Sequence, residues 1–306
     1  MKSGPEALDL LRSANRVGYL LPGGSARCVF QVGVIEELAA LGVRPSMLVG
    51  VSGGAWNAAA VAAGKGHRLR HYWRCFTRLP RVALANLVRE GSPFLFAELH
   101  RRTFATYVGA AALRAPSALP LWVGVTRLRD GEPLLVSPRE VDEPLQLLLA
   151  SNYLPPFYTL PPRILGQRCG DGALSDNLPY EKLFAAGCDA VVIAAARGES
   201  DGELARSLVD RQHVIDPRYA ERTVVIRPRH RLPISFTETD WGALVGAIEI
   251  GRLRTREVLL GERHGATDAR GEVHRAGYLL ARLVDLYARS RRARRGGPRR
   301  APLRRP

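Results

Sequence analysis

Apolar residues fall in short, sharply bounded runs along the chain, and the punctuation between them predicts most of the elements. Val17 to Leu21 is a continuous apolar run stopped by Pro22-Gly23-Gly24, the pattern of a buried strand entering a tight loop. From Cys28 to Leu41 the apolar positions Val29, Val32, Ile35, Leu38 and Leu41 recur at three-residue intervals and Gly42 follows, which predicts a helix with one apolar face and a glycine stop. Met47 to Val51 is a second apolar strand, ended by Ser52-Gly53-Gly54. Ala55 to Ala63 then reads as a packed, alanine-rich helix closed by Gly64. The opening unit is therefore strand, loop, helix, strand, turn, helix.

Further on, the basic and aromatic-dotted stretch 67–118 predicts several helices that build a cleft. Leu121 to Leu128 and Pro133 to Val136 read as paired strands joined by Asp130-Gly131. A proline-rich stretch, Ser151 to Pro162, leads into Arg168-Cys169-Gly170-Asp171-Gly172, which is expected to be irregular backbone. A helix at Tyr180 to Ala186 and strands at Ala190 to Ala195 and Thr223 to Ile226 continue the α/β alternation. Two last helices are expected from about Trp241 to Glu262 and from about Val273 to Tyr287. No internal repeat is evident.

Composition narrows the setting. With 46% apolar residues, 30 glycines and 21 prolines, the 306-residue chain suits a folded, turn-rich enzyme built on one sheet. The formal net charge of +16 is uneven, because 289–306 holds nine arginines and no acidic residue. Such a run is expected to be a disordered, solvated tail. The sharper alternative is attraction to anionic lipid headgroups, with nucleic acid not expected as a partner. Cys28, Cys75, Cys169 and Cys188 lie far apart with no C-x-x-C spacing, so neither a zinc site nor a disulfide framework is indicated, and buried thiols are expected. Glu6, Asp9 and Arg12 interrupt any apolar signal-peptide core, and no apolar run is long enough to cross a bilayer. A cytoplasmic protein, with room for peripheral contact with an anionic membrane surface, is the simplest expectation.

Candidate chemistry begins at Gly50-Val51-Ser52-Gly53-Gly54. This G-x-S-x-G sits between an apolar strand and a small-residue helix, where a serine on a sharp strand-to-helix turn can act as a nucleophile. Only small neighbours such as Gly50, Gly53 and Gly54 fit there. Taken alone, a plain glycine turn explains the pattern as well. Upstream, Gly23-Gly24-Ser25-Ala26-Arg27 joins a strand to a helix and can converge backbone N–H groups on an oxygen becoming negative. A phosphate loop is the weaker reading, since neither G-x-G-x-x-G nor G-x-x-x-x-G-K-[ST] is present. Arg27 is expected to tie the loop down by hydrogen bonds.

A serine needs a base, and among the seven histidines His67 and His71 follow the elbow helix too closely, while His213, His230, His264 and His274 lie in segments without other site signals. Asp171, in Gly170-Asp171-Gly172, is the candidate for a base acting directly, although the motif by itself reads more readily as a turn aspartate.

The order Gly-Gly-Ser-Ala-Arg, Gly-Val-Ser-Gly-Gly and Asp-Gly-Ala resembles the patatin-like phospholipase family. That family pairs a glycine-rich oxyanion loop ending in Arg or Lys with a G-x-S-x-G elbow and a D-G-[GA] motif. Gln31 to Glu36, Ala55 to Ala59, the stretch Ala150 to Pro162 and Asp176-Asn177-Leu178-Pro179 look like the family's flanks of these motifs, so that 17–195 is covered. The resemblance implies a three-layer α/β/α fold with a mainly parallel sheet, and a Ser52–Asp171 dyad that hydrolyses lipid acyl esters through a covalent acyl-enzyme. The amides of Gly23, Gly24 and Ser25 would form the oxyanion hole, with no cofactor and no metal. Ser25 stands where the family usually has glycine, and Cys28 where a glycine normally follows the Arg. The expected organisation is an N-terminal extension (1–16), a catalytic domain (17–288) and a basic tail (289–306). Two other readings stay open: a degenerate patatin-like lipid-binding protein, and a Ser-His-Asp esterase of the α/β-hydrolase fold. The latter is disfavoured by the short spacing of 28 positions between Gly24 and Ser52.

Overall fold

The computed structural model of the chain describes residues 3–268 apart from 79–81, 156, 159, 208–209 and 236; the helix expected at about 273–287 and the arginine-rich end lie outside the described residues. One sheet contains strands β1 (Val17–Leu21), β2 (Met47–Val51), β3 (Leu121–Arg127), β4 (Pro133–Val136), β5 (Arg163–Ile164), β6 (Gln167–Asp171), β7 (Ala190–Ala194) and β8 (Thr223–Ile226). Their order is β5-β6-β3-β2-β1-β7-β8, with β4 on β3. The run from β3 to β8 is parallel, whereas β4, β5 and β6 pair antiparallel.

The apolar runs are continuous because the sheet is covered on both faces. Val17, Tyr19, Leu21, Leu48, Val192 and Ala194 enter one core cluster, while their alternating neighbours Leu20, Met47, Val49, Val191 and Ile193 enter another. Each of these Val, Leu, Ile and Met side chains, fully removed from water, contributes about 1.5–3 kcal/mol. The helices are α1 (Pro5–Ser13), α2 (Phe30–Ala40), α3 (Gly53–Ala62), α4 (Leu69–Arg78), α5 (Ala85–Glu90), α6 (Phe96–Tyr107), α7 (Ala110–Arg114), α8 (Pro144–Ser151), α9 (Glu181–Ala185), α10 (Pro217–Ala220) and α11 (Trp241–Leu260). Residues of α2, α3 and α11 fill the first cluster, and Leu183 of α9 lies in the second, so the fold is three-layered, α/β/α. Within the expected N-terminal extension, α1 lays Ala7, Leu8 and Leu11 into the first cluster. Among the described residues, no helix is long and apolar enough to cross a membrane.

Two expectations need correction. The segment Arg168–Gly172 is not irregular up to Asp171: it forms β6, paired antiparallel to β3 with Val125 opposite Asp171 and Thr126 opposite Gly170. Glycine and aspartate disfavour strands locally, but the free edge of β3 outweighs that preference. Helix α8 was not foreseen, because its run Pro144–Ser151 is apolar nearly all round and shows no helical face.

The topology places two chain ends against each other. A strand has two edges, and β4 pairs with Val123 to Thr126 of β3, overlapping both the β2 partners (Leu121 to Gly124) and the β6 partners (Val125 to Arg127). Strands β2 and β6 therefore share the other edge of β3, head to head, with Val51 beside Gly124 and Asp171 beside Val125. Residue 52 and residue 171 must meet.

Candidate active site

Ser52 caps this junction. It has φ 52° and ψ −129°, a backbone conformation that costs a non-glycine residue about 1–3 kcal/mol and persists only where the surroundings impose it. The glycines around it have no room for a side chain. A Cβ on Gly54 would lie 2.0 Å from the Leu21 carbonyl oxygen, and one on Gly50 would lie 2.6 Å from Ala55 Cα. A Cβ on Gly53 would press on Cys28 Sγ and the Ser25 carbonyl oxygen, at 3.0 Å each. The elbow thus lets β2 turn into α3 within one residue, and Ser52 stands at the start of that helix.

The Ser52 hydroxyl donates to Asp171 Oδ2 at 2.7 Å, across 119 positions of sequence. Asp171 is 1% exposed, and its other oxygen accepts the Ala173 N–H at 2.9 Å. Burial pushes its carboxyl up to about 7, while the hydrogen bonds from Ser52 and Ala173 pull it part of the way back. Gly172 lets the chain leave β6 tightly, since a Cβ there would lie 2.4 Å from the Gly124 carbonyl oxygen.

Several polar side chains that motif reading did not single out hold this geometry. Ser151 accepts the Ser52 N–H at 2.8 Å and donates to the Gly124 carbonyl at 2.7 Å, joining the ends of β2 and β3. Asn152 donates to the Ser52 carbonyl, and Thr126 to the Asp171 carbonyl. Gln31 donates to the carbonyls of Pro22 and Ala194. Asn57 donates to Cys28 O and Gln31 Oε1 and accepts from Trp73, so a buried network pins the glycine loop to α2, α3 and α4. Replacing Ser151 with alanine is expected to strand a buried donor and a buried acceptor and to cost about 2 kcal/mol. A urea midpoint unchanged from wild type would contradict this.

In the glycine loop, Gly23, Gly24 and Ser25 lie beside Ser52; a Cβ on Gly23 would stand 2.7 Å from Ser52 Cβ. Gly23 does not present its N–H freely, because that group donates to Asn177 Oδ1 at 2.6 Å. Ser25 has φ 54°, a left-handed conformation that favours glycine, so the residue type usual in the family is the unstrained one here. Arg27 Nε donates to the Gly24 carbonyl at 3.3 Å.

Two cavities meet at Ser25, Ser52, Leu154 and Asp171. One is narrow, about 70 Å³, and apolar, lined by Trp56, Tyr72, Trp73, Phe76, Phe96 and Phe157 among others. His100 also lines it, stacked on Trp56 with ring centroids 4.1 Å apart, and burial lowers its imidazole to about 3, which keeps it neutral. No local pattern marked His100, which stands between Leu99 and Arg101 in α6. The second cavity is polar and about 350 Å³, with Arg27, Arg197, Arg211 and Arg231 in its wall.

Residues 20–184, more than half of the chain, match the family Patatin-like phospholipase. Human Patatin-like phospholipase domain-containing protein 2 is 35% identical over 83 residues, 26% of this chain and 16% of that protein. The human 1-acylglycerol-3-phosphate O-acyltransferase PNPLA3 is 43% identical over 61 residues, 19% of this chain and 12% of that protein. The matched stretch is thus a small part of either relative's length. Among solved structures, VipD from Legionella pneumophila superposes over 90% of this chain and 74% of its own, at 14% identity and a TM-score of 0.48. Elbow, glycine loop and Asp-Gly motif all fall inside the matched stretch, and the chain belongs to the patatin-like phospholipase family.

Proposed function

We propose that the chain hydrolyses lipid acyl esters with Ser52 as nucleophile and Asp171 as its only catalytic partner. The observation that carries this reading is the 2.7 Å hydrogen bond from the Ser52 hydroxyl to a buried carboxylate, at the point where an apolar cavity meets a polar one. Asp171 Oδ2 takes the hydroxyl proton while Ser52 Oγ bonds to the carbonyl carbon, and the carbonyl oxygen becomes negative. On this reading the N–H groups of Gly24 and Ser25 in the loop and of Gly53 at the start of α3 stabilise that oxygen, and Gly23 contributes by holding the loop through Asn177. Collapse breaks the bond to the alcohol oxygen, which leaves with the proton from Asp171. In the second half, Asp171 deprotonates a water that attacks the acyl-serine, and the fatty acid leaves as Ser52 regains its proton.

The apolar cavity suits the acyl chain. The same proposal takes 17–288 as the catalytic domain and a cytoplasmic setting, with Cys28, Cys169 and Cys188 kept as buried thiols. The test is covalent. Incubation of the intact chain with a fluorophosphonate, followed by peptide mapping, is expected to place the adduct on Ser52 and to stop hydrolysis of a nitrophenyl butyrate. An adduct on another serine, or folded protein that neither labels nor turns over the ester, would sink the proposal.

A further inference from the structure

The polar cavity has a composition that hydrolysis of a neutral ester does not require. Four guanidiniums, those of Arg27, Arg197, Arg211 and Arg231, share its wall with two carboxylates, Asp171 and Asp201, which leaves two positive charges uncompensated. Two other inward arginines are paired with carboxylates: Arg206 is held by Asp176 and Glu181, and Arg254 by Glu199 and Glu257. Among the described residues, none of the four cavity arginines lies within ion-pair distance of a carboxylate. Arg27 and Arg197 bond instead to the backbone carbonyls of Gly24 and Asp201, and the buried Arg197 Nε has no acceptor.

We infer that this cavity binds a phosphate carried on the alcohol half of the ester, so that the substrate is a lipid whose acyl chain enters the apolar cavity and whose phosphomonoester headgroup sits among Arg27, Arg197, Arg211 and Arg231. The position of the ester rests on the Ser52 reading; the headgroup rests on the arginines alone. A phosphomonoester carries a charge of about −1.5 to −2 at neutral pH and offers three acceptor oxygens, which matches the charge left open and the fork geometry of guanidinium donors. An uncharged glyceride would leave the guanidiniums facing one another, and a zwitterionic headgroup would bring a cation among them. Burial above all holds Arg27 and Arg197 below the usual arginine range; at Arg27 repulsion from Arg231 comes next, and at Arg197 repulsion from Arg211 and Arg227 adds to burial while Asp201 opposes it. An anion relieves that repulsion. Arg197, Arg211 and Arg231 follow β7 and β8, beyond the stretch 20–184 that matches the family, so this charge belongs to the C-terminal part of this chain rather than to the shared motifs.

The test is equilibrium binding to the full chain carrying Ser52→Ala, which cannot turn the ligand over. Calorimetric titrations would compare dioctanoylglycerol phosphate, dioctanoylglycerol and inorganic phosphate. The phosphorylated lipid is expected to bind at least about tenfold more tightly than either of the other two. Adding Arg197→Gln or Arg231→Gln should each shrink that preference about tenfold, with Arg231→Lys keeping part of it. Arg211 is exposed, so Arg211→Gln supplies a variant that does not disturb the interior, and it should act in the same direction. Equal binding of the two lipids, or a preference that survives these replacements, overturns the inference. Inorganic phosphate binding as tightly as the phosphorylated lipid would make the cavity a free-phosphate site and would also overturn it. Nitrophenyl butyrate carries no phosphate, so failure of wild type to hydrolyse it counts against the Ser52–Asp171 reading and leaves the binding result standing.

Discussion

Asp171→Asn is expected to fold and to lose about 10²–10⁴-fold in kcat for a neutral ester, the range that a positioned general base supplies. Asparagine keeps the shape of the side chain and can still accept the Ala173 N–H, but it cannot take a proton from Ser52. Because burial holds the Asp171 proton up to about 7, wild-type kcat/KM should fall tenfold per pH unit below a midpoint near pH 7. A midpoint near 4 would mean that the carboxylate is solvated during catalysis. The same displacement predicts a stability effect of opposite sense. In the unfolded chain this carboxyl ionises near its ordinary value of 3.8, so between about pH 4 and 7 the folded state holds the proton that the unfolded state has lost, and the native state weakens as pH rises. Above pH 7 the cost levels off on the order of 4 kcal/mol. The variant is spared it. Its excess stability over wild type should grow from near zero at pH 4 to a few kcal/mol at pH 8, measured by urea denaturation; an excess independent of pH would show that Asp171 is not buried as described.

Gly33→Ala is expected to destabilise the fold by at least about 3 kcal/mol, against the sense of helix propensity, which favours alanine over glycine by about 1 kcal/mol. Gly33 lies one turn into α2, where α11 crosses it. A Cβ there would stand 1.8 Å from the Ile248 carbonyl oxygen and 2.8 Å from the Arg252 nitrogen, both backbone atoms that cannot rotate away. On the facing helix, a Cβ on Gly251 would lie 2.2 Å from the Phe30 carbonyl oxygen, so the two backbones touch through a pair of glycines. Relief would require α2 to move as a body. It carries Gln31, whose amide grips the glycine loop and the end of β7, so the variant is also expected to lose turnover. A urea midpoint equal to or above that of wild type would rule out so close a helix crossing.

Elements buried on both sides were legible because their signal is local. β1, β2 and β8 begin and end where the apolar runs do, since a strand covered on both faces needs apolar residues at every position. The elbow was legible for a steric reason: β2 can turn into α3 beside Leu21 and Ala55 only with glycine at Gly50 and Gly54, and that demand is visible in five consecutive letters. By contrast, β6 was misread because Gly170 and Asp171 form a strand only when β3 offers an edge, and no property of those residues announces the partner. His100, Ser151 and Asn177 were missed as contributors for a similar reason. Each is an ordinary polar residue until folding sets it against Trp56, Ser52 or the Gly23 amide.

By itself, then, the amino-acid sequence determined the α/β alternation, the glycine loop and the elbow, because short-range sterics and hydrophobic periodicity write these into neighbouring positions, whereas the pairing of Ser52 with Asp171 was an expectation drawn from the family resemblance of three motifs. Only the tertiary structure decided that β2 and β6 meet head to head on β3, that Asp171 is buried enough to hold its proton near neutrality, and that arginines from three separate segments surround one cavity. Those outcomes depend on strand register and on desolvation, and both are set by residues far apart in the chain and close in space.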